Sequence, residues 1–423
     1  MLIQFSVENF RSFKERAVLS MEASSRKEHE DHVAHIGKER ILRTASIFGA
    51  NAAGKSNLFR ALAAAILILR QSNMRQVGEP LTLIQPFAFD EELSHQPSSF
   101  EFVFLASGLK YVYGFSTDRE RILKEYLYVY RSARPSTIFE RDRNTSPEFK
   151  FTNPEVRKEL APIVSKNASN KLFLATATAW NAEVTRAAYL WFSRINTYSN
   201  NYNDLIGIDI PMLEADSDNT LKQFICQVLH QADINISDYE YKSGEAAAAE
   251  LSPALLSFLP NSISNAQLRK YSIMMTHQVH RKGEIKRSYE LNFNDESQGT
   301  KSLFMLSPIL FQAFRKGMII CVDEFDTSLH PLLVGFLVGL FHNPEVNQSN
   351  AQLIISSHTT TLLSRKLSRM DELYLVDKNY DSGESSLYSL DEFSLRKDSN
   401  VWKGYLLGRF GGVPDIAGGE LLW

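Results

Sequence analysis

The segment Gly49-Ala-Asn-Ala-Ala-Gly54-Lys55-Ser56 constrains the fold of this chain more than any other. It matches GxxxxGKS/T at every fixed position. In that pattern glycines let the backbone wrap an anion, and successive amides point inward at the start of a helix whose dipole favours negative charge. The flanks supply the required context: Ile41 to Phe48 reads as a strand, and Leu58, Leu62, Ile66 and Leu69 recur at helical spacing between Lys55 and about Arg70. Gly49, Asn51, Gly54, Lys55, Ser56 and Asn57 are therefore the candidate phosphate contacts. Lys55 is expected to reach β- and γ-phosphates, and the Ser56 hydroxyl to ligate Mg²⁺.

A loop of this kind needs a largely parallel sheet around it, and the last 130 or so residues read that way. A helix over about 299–315 leads to a strand at Met318 to Val322, a helix over about 331–342, a strand at Gln352 to Ser356, another helix, and a strand at Glu372 to Val376. Residues 1–8 and about 15–21 read as two short strands turning at Asn9-Phe-Arg-Ser-Phe13, and Ser24 to Arg40 as a polar stretch. The region from about 98 to 140 alternates aromatic and β-branched residues like an antiparallel meander. Residues 153–265 look mostly helical, and two strands at Tyr271 to Gln278 and Ser288 to Phe293 flank the basic turn from His280 to Arg287.

Three further segments carry chemistry. Met318-Ile-Ile-Cys-Val-Asp323-Glu324 is an apolar run ending in two acids, which places carboxylates at the C-terminal edge of a sheet, where ligands bind in such folds. Asp323 would hold Mg²⁺, and Glu324 would polarise an attacking water as general base. Ile354-Ile-Ser-Ser-His358 ends a second apolar strand one helix later, where a γ-phosphate sensor belongs. Glu296-Ser297-Gln298-Gly299-Thr300 opens a helix; Ser297 reads either as its N-cap or, with Gly299, as a second phosphate cradle for the nucleotide of a partner copy.

These segments together resemble the SMC, RecF and Rad-type branch of ABC ATPases. The match runs through Asn9-Phe-Arg-Ser-Phe13, Gly49 to Asn57, Ser297 to Thr300, Asp323-Glu324, the loop Asp326-Thr-Ser-Leu-His-Pro331, and His358. Within that branch Glu296-Ser-Gln-Gly-Thr300, Asp323-Glu-Phe-Asp-Thr-Ser-Leu-His-Pro331 and the tail Gly404-Tyr-Leu-Leu-Gly-Arg-Phe-Gly-Gly-Val-Pro414 are similar to RloA-like ATPases of restriction and phage-defence loci. The resemblance implies an α/β P-loop NTPase of ABC/SMC-head type: a mixed sheet with flanking helices, an antiparallel β subdomain and a helical insertion. It also implies a homodimer sandwiching ATP and Mg²⁺, with Asp326, Ser328 and His330 on an interface loop. Domains are expected at 1–180 (P-loop and meander), 181–265 (helical lid) and 266–423 (signature, acidic strand, interface loop and His358). The N-terminal strands are expected to share one sheet with the P-loop. The glutamine loop of the family falls either at Gln85 or within Thr176 to Asn181.

Composition narrows the partners. A net charge of −3 does not announce a strongly basic nucleic-acid surface, although the 280–287 turn and the cluster Arg365, Lys366 and Arg369 are candidates for DNA or RNA contact. Cys226 and Cys321, the only two cysteines, fit a reducing cytoplasm and no disulfide framework. The longest apolar run, Ala61 to Leu69, is too short to span a bilayer, and no membrane partner is expected. His29, His32 and His35 sit three apart and read as a solvated helical face, with metal binding as the alternative. Three functions compete: an ATPase motor or sensor controlling a nuclease or toxin effector in trans during antiviral defence, a RecF-like DNA-repair ATPase, and an ATP-gated scaffold with little turnover. A transporter is disfavoured by the roughly 240 residues between P-loop and signature, and a GTPase by the lack of an NKxD element.

Overall fold

The structure, a computed structural model, describes residues 1–199, 212–213, 216–243, 271–281, 284–393, 395–396 and 399–414. The chain divides into two units: Met1–Ser199 with Ala313–Asp326 and Leu337–Trp423, and Asn200–Gln312 with Thr327–Phe336. In the first unit β1 (Leu2–Glu8) and β2 (Ala17–Ser20) are followed by a hairpin of β3 (Val33–Ile36) and β4 (Glu39–Leu42). Next, β5 (Thr44–Gly49) runs into α1 (Lys55–Arg70). The meander comprises β6 (Ser98–Ala106), β7 (Leu109–Thr117), β8 (Ile122–Tyr130), β9 (Pro135–Asp142) and β10 (Phe149–Lys150). Three helices, α2 (Pro154–Val164), α3 (Phe173–Ala179) and α4 (Glu183–Trp191), then lead to β11 (Ile195–Ser199).

The second unit holds α5 (Thr220–Gln231), β12 (Ile236–Ser243), β13 (Tyr271–Arg281) and β14 (Glu284–Asn292). These strands form an antiparallel sheet in the order β12-β13-β14. Its core gathers Phe293, Phe304 and Tyr239, with Tyr239 edge-on to Phe304 at 5.0 Å. The helix α6 (Gln298–Lys316) begins in this unit and ends in the first. Then follow β15 (Ile319–Asp323), α7 (Pro331–His342), β16 (Gln352–Ser356), β17 (Leu373–Lys378), β18 (Ser385–Ser389) and α8 (Val401–Leu406).

The six-stranded sheet that carries the P-loop runs β11-β15-β16-β5-β17-β18, parallel except for β18. Its central strands are apolar on both faces, as helix-covered parallel strands are; β5 and β16 are buried throughout. Because β5, β15 and β16 are parallel neighbours, Gly49, Asp323 and Ser356 end at the same edge. Leu58, Leu62, Ile66 and Leu69 are all buried, and α1 packs on β5, β11 and β15. Among the described residues no helix is long and apolar enough to cross a membrane.

Four expectations need correction. The N-terminal strands do not join the P-loop sheet: β1 pairs with β6 on one side and β2 on the other, making a separate seven-stranded antiparallel sheet with the meander. Both edges of β1 are thereby taken. The 181–265 region is not a helical lid in its described part, because Ile195–Ser199 forms a strand parallel to β15 and Ile236–Ser243 forms another beside β13. The same region does hold the helices α4 and α5, and residues 200–211, 214–215 and 244–265 of it lie outside the described residues. The polar stretch 24–40 runs into the β3–β4 hairpin, which also takes Ile41 and Leu42 from the strand expected before the P-loop. Between β16 and β17 only 3-10 turns occur, at Thr360–Leu362 and Met370–Glu372, where a helix was expected.

The first unit's core is aromatic. Alternation along β6 buries Phe100, Phe102 and Phe104, and Phe104 stacks on Trp191 at 4.1 Å while Phe192 meets it edge-on at 5.6 Å. That contact ties the meander to the end of α4, just ahead of β11. Phe104→Ala is expected to lower unfolding free energy by about 3–5 kcal/mol in urea titration; a loss under about 1 kcal/mol would mean the ring is not a packing centre.

Candidate functional site

The loop after β5 is held from outside as well as by its own turn. Gly54 has φ 118° as the N-cap of α1, and a Cβ there would lie 2.4 Å from Ser385 Oγ and 2.8 Å from Ser12 Oγ. Only glycine fits this close approach. Ser385 Oγ donates to the Ala53 carbonyl at 2.5 Å, and the Ser385 amide donates to Ser12 O at 2.7 Å. Asn57 Nδ2 donates to Ser12 Oγ at 2.8 Å. The Asn9–Phe13 turn that presents Ser12 is itself anchored: Asn9 Nδ2 donates to Leu93 O and Gln96 O, and Asn9 Oδ1 accepts from the Phe87 amide.

Lys55 is buried, and its ammonium donates to the Gly49 and Ala50 carbonyls at 2.7 and 3.1 Å. Burial pushes its pKa down, while Asp323, Asp326 and Glu324 pull it back up. Its hydrogen-bond partners are neutral carbonyls and the carboxylates act on it only from farther off, so the buried cation is incompletely compensated. It is suited to an anionic ligand that would take the place of those carbonyls. Ser56 and Asn57 are half-buried in the first turn of α1, and Asn51 is exposed at the loop tip.

The acidic strand and its neighbour are joined by one hydroxyl. Ser356 Oγ donates to Asp323 Oδ1 at 2.5 Å and accepts from the Glu324 amide at 2.7 Å. Glu324 is exposed and has φ 54°, the left-handed region that costs a non-glycine residue about 1–2 kcal/mol. Such strain clusters at functional sites. Asp326 Oδ2 accepts from the His358 amide at 2.8 Å and from Thr359 Oγ1 at 2.9 Å, which leaves the His358 side chain exposed. Lys55, Asp323, Glu324 and Asp326 are thus close enough to interact electrically, and the His358 loop is tied to the same acids.

Beside the P-loop lies an open pocket of about 1190 Å³. Ala50 to Ala53 form one wall, and Phe89, Tyr380 and the tail at Leu406 to Leu407 and Gly411 to Pro414 form others. Tyr380 and Phe89 are 98% and 76% exposed on these walls. The tail is drawn in by Tyr405 Oη donating to Gly412 O and by Phe48 packing edge-on against Tyr405. Sequence reasoning missed Ser12, Ser356, Ser385 and this pocket; their polar types carry no spacing signal, since each acts through a contact distant in sequence.

In the second unit, Ser297 Oγ accepts from the Thr300 amide at 3.1 Å, so it caps α6. A Cβ on Gly299 would come within 2.7 Å of Ser328 O, so the glycine lets the loop carrying Ser328 lie directly against the helix start. Ser297, Gln298, Ser328 and His330 are exposed, and Ser328 has φ 65°. His330 Nδ1 accepts from the Leu332 amide at 3.3 Å, at the start of α7.

Other candidates resolve differently. Gln85 is exposed and its carbonyl accepts from the Arg11 amide, whereas Thr176 and Ala177 are buried in α3. The basic cluster does not form a surface patch. Arg369 is 1% exposed and its guanidinium is paired with Asp371 at 2.8 and 2.9 Å, and Arg365 donates to the Leu395 and Arg396 carbonyls, leaving only Lys366 exposed. The side chains from 280 to 286 lie outside the described residues. His29, His32 and His35 are not on one helix: His29 is left-handed at φ 49°, a 3-10 turn follows, and His35 pairs with Glu30 on the surface.

The family described as "AAA domain, putative AbiEii toxin, Type IV TA system" matches residues 45–364, from the strand before the P-loop to just past His358. The chain belongs to this AAA-domain family. Its P-loop NTPase fold follows from that membership and from the parallel sheet described above. Two solved structures are similar to this AAA-domain protein. The SMC head domain from Thermotoga maritima is 14% identical with a TM-score of 0.41, over 92% of this chain and 98% of that one. An SmcHead bound to the C-winged helix domain of ScpA is 13% identical with a TM-score of 0.41, over 92% and 97%. No curated protein matches.

Ser356→Ala removes both bonds that fix the acidic pair. Hydrogen bonds to charged groups contribute about 1.5–3 kcal/mol, so nucleotide turnover is expected to fall about 10- to 100-fold, with a smaller change in nucleotide affinity. Unchanged steady-state turnover would show that the hydroxyl does not position Asp323 and Glu324.

Proposed function

We propose that this chain hydrolyses ATP as a head-to-head homodimer and serves as the ATPase motor or sensor of an antiviral defence complex, controlling a separate nuclease or toxin. The observation that carries the ATPase reading is the meeting of buried Lys55 with Asp323, Glu324 and Asp326 at one sheet edge. Lys55 would bind the β- and γ-phosphates in exchange for its two carbonyl partners, and the loop amides from Gly49 to Gly54 would cradle them. Ser56 and Asp323 fit Mg²⁺, a hard cation that takes oxygen ligands and would neutralise phosphate charge when bound. Glu324, exposed and held by its own amide, orients a water and takes its proton. His358, on the loop anchored by Asp326, would meet the γ-phosphate side. The base would rest against Phe89 or Tyr380.

The dimer supplies what one P-loop lacks. Ser297 and Gly299 open α6 with exposed groups at a helix N-terminus, which suits the phosphates of the partner's nucleotide. Asp326, Ser328 and His330 would line the interface between the two copies. The family description, with its toxin and toxin–antitoxin terms, and the RloA-like tail support the defence role and a cytoplasmic setting. The DNA-repair alternative loses its support at Arg365 and Arg369, which are engaged inside the protein.

Two variants separate the parts of this reading. Lys55→Ala is expected to weaken ATP binding by about 100-fold or more in titration calorimetry, as loss of a buried charge-to-phosphate contact implies; wild-type affinity would count against the site. Glu324→Gln is expected to bind ATP, stop turning over, and sediment as a dimer only with ATP. A nucleotide-bound monomer would contradict the head-to-head arrangement, and undiminished hydrolysis would contradict Glu324 as base.

A further inference from the structure

One buried cluster has no part in the chemistry above. His32 ends the 3-10 turn before β3, His342 ends α7, and Glu372 ends the turn before β17. None of the three is more than 6% exposed, and one ligand-type atom from each lies within 4.8 Å of the others. His32 Nδ1 is 3.0 Å from Glu372 Oε2, and His342 Nε2 is 3.5 Å from Glu372 Oε1. Bonds of about 2.0–2.1 Å to a tetrahedral zinc ion put neighbouring ligand atoms about 3.3 Å apart. The two histidine-to-carboxylate distances bracket that spacing.

The surroundings orient the same atoms. The Arg369 amide donates to Glu372 Oε2 at 2.9 Å, and Thr44 Oγ1 lies 3.2 Å from Oε1 and 2.9 Å from His342 Nε2, a contact to that nitrogen that the ion would replace. Donors holding a ligating carboxylate are part of the usual support of a metal site. Charge points the same way. A buried carboxylate needs a positive partner, and the nearby Arg369 guanidinium is committed to Asp371. The two imidazole rings stack beside the carboxylate at 3.4 Å and 12°.

We infer that His32, His342 and Glu372 form a binding site for a divalent transition metal, zinc above all. Two neutral imidazoles and one carboxylate are a donor set suited to Zn²⁺. The stacked rings would turn about their Cβ–Cγ bonds to bring His32 Nδ1 and His342 Nε2 to one ion beside the carboxylate. Thr44 marks the start of β5, and the P-loop leaves its other end, so the ion is a structural staple. It fastens the residue 30–32 turn to strands some 340 positions away in sequence. His29 stacks on His32 at 4.7 Å but directs Nε2 to the Arg365 carbonyl, so it flanks the site without belonging to it.

The test uses full-length protein stripped with EDTA, desalted, and loaded with Zn²⁺ or Co²⁺ in the absence of nucleotide. The expected result is about one ion per chain retained through a second desalting, a Co²⁺ visible band of low-coordinate nitrogen–oxygen type, and a thermal midpoint that rises with Zn²⁺. His342→Gln and Glu372→Gln should lower retention at least about tenfold, while His35→Gln keeps it. A Co²⁺-loaded wild-type protein without that band overturns the inference independently of any variant's folding. Equal retention by His342→Gln and wild type also overturns it, and a proton shared within the cluster would then explain the geometry.

Discussion

Ser356 Oγ, donating to Asp323 and accepting from the Glu324 amide, sets the geometry on which the site depends. Without it the backbone after β15 would lack a partner for the Glu324 amide at the point where that residue adopts a left-handed conformation. The bond offsets part of that strain and points the Glu324 side chain away from the sheet into solvent. It works only because β15 and β16 are adjacent and parallel, ending together. Parallel order is thus a chemical requirement here: two strands nearly 35 residues apart must present an acid and a hydroxyl at one level.

The same logic explains the N-terminal strands and the meander. They do not touch phosphate chemistry through residues of their own strands, yet the turn between β1 and β2 presents Ser12 to Asn57 and to the Ser385 amide. That turn is fixed by Asn9 to a loop preceding β6 and is backed by Phe10 packing edge-on against Phe100. A seven-stranded sheet with an aromatic core is therefore a rigid support for one serine and for the curvature of the P-loop. Tyr380, Phe89 and the glycine-rich tail enclose the other side.

What the sequence revealed is what is local. The P-loop, the acidic strand end and the His358 loop each state their structure within about ten residues, through an apolar run followed by a fixed polar spacing. Strands β1, β5 and β6 were legible in kind, but their partners were not. Nothing in Leu2 to Glu8 says that both its edges will be filled by β2 and β6 and not by β5. The strand at Ile195 to Ser199 was hidden because it is short and polar apart from Ile195 and Tyr198, with no alternation to mark it, and it pairs with β15. Arg369 looked like surface charge and is buried, because Asp371 two positions later neutralises it. His32, His342 and Glu372 are ordinary residues in sequence; only folding brings them together.

The central claim is that triphosphate is gripped by Lys55 from one copy and by the start of α6 from the other. A cryo-electron microscopy structure of the full chain with ATP and Mg²⁺, carrying a glutamine at position 324, measures this directly. The account predicts γ-phosphate oxygens within about 3 Å of Lys55 Nζ and, across a two-fold axis, of Ser297 Oγ or the Gly299 amide. A nucleotide held by Lys55 alone, with the nearest Ser297 far from any phosphate in either copy, would contradict it.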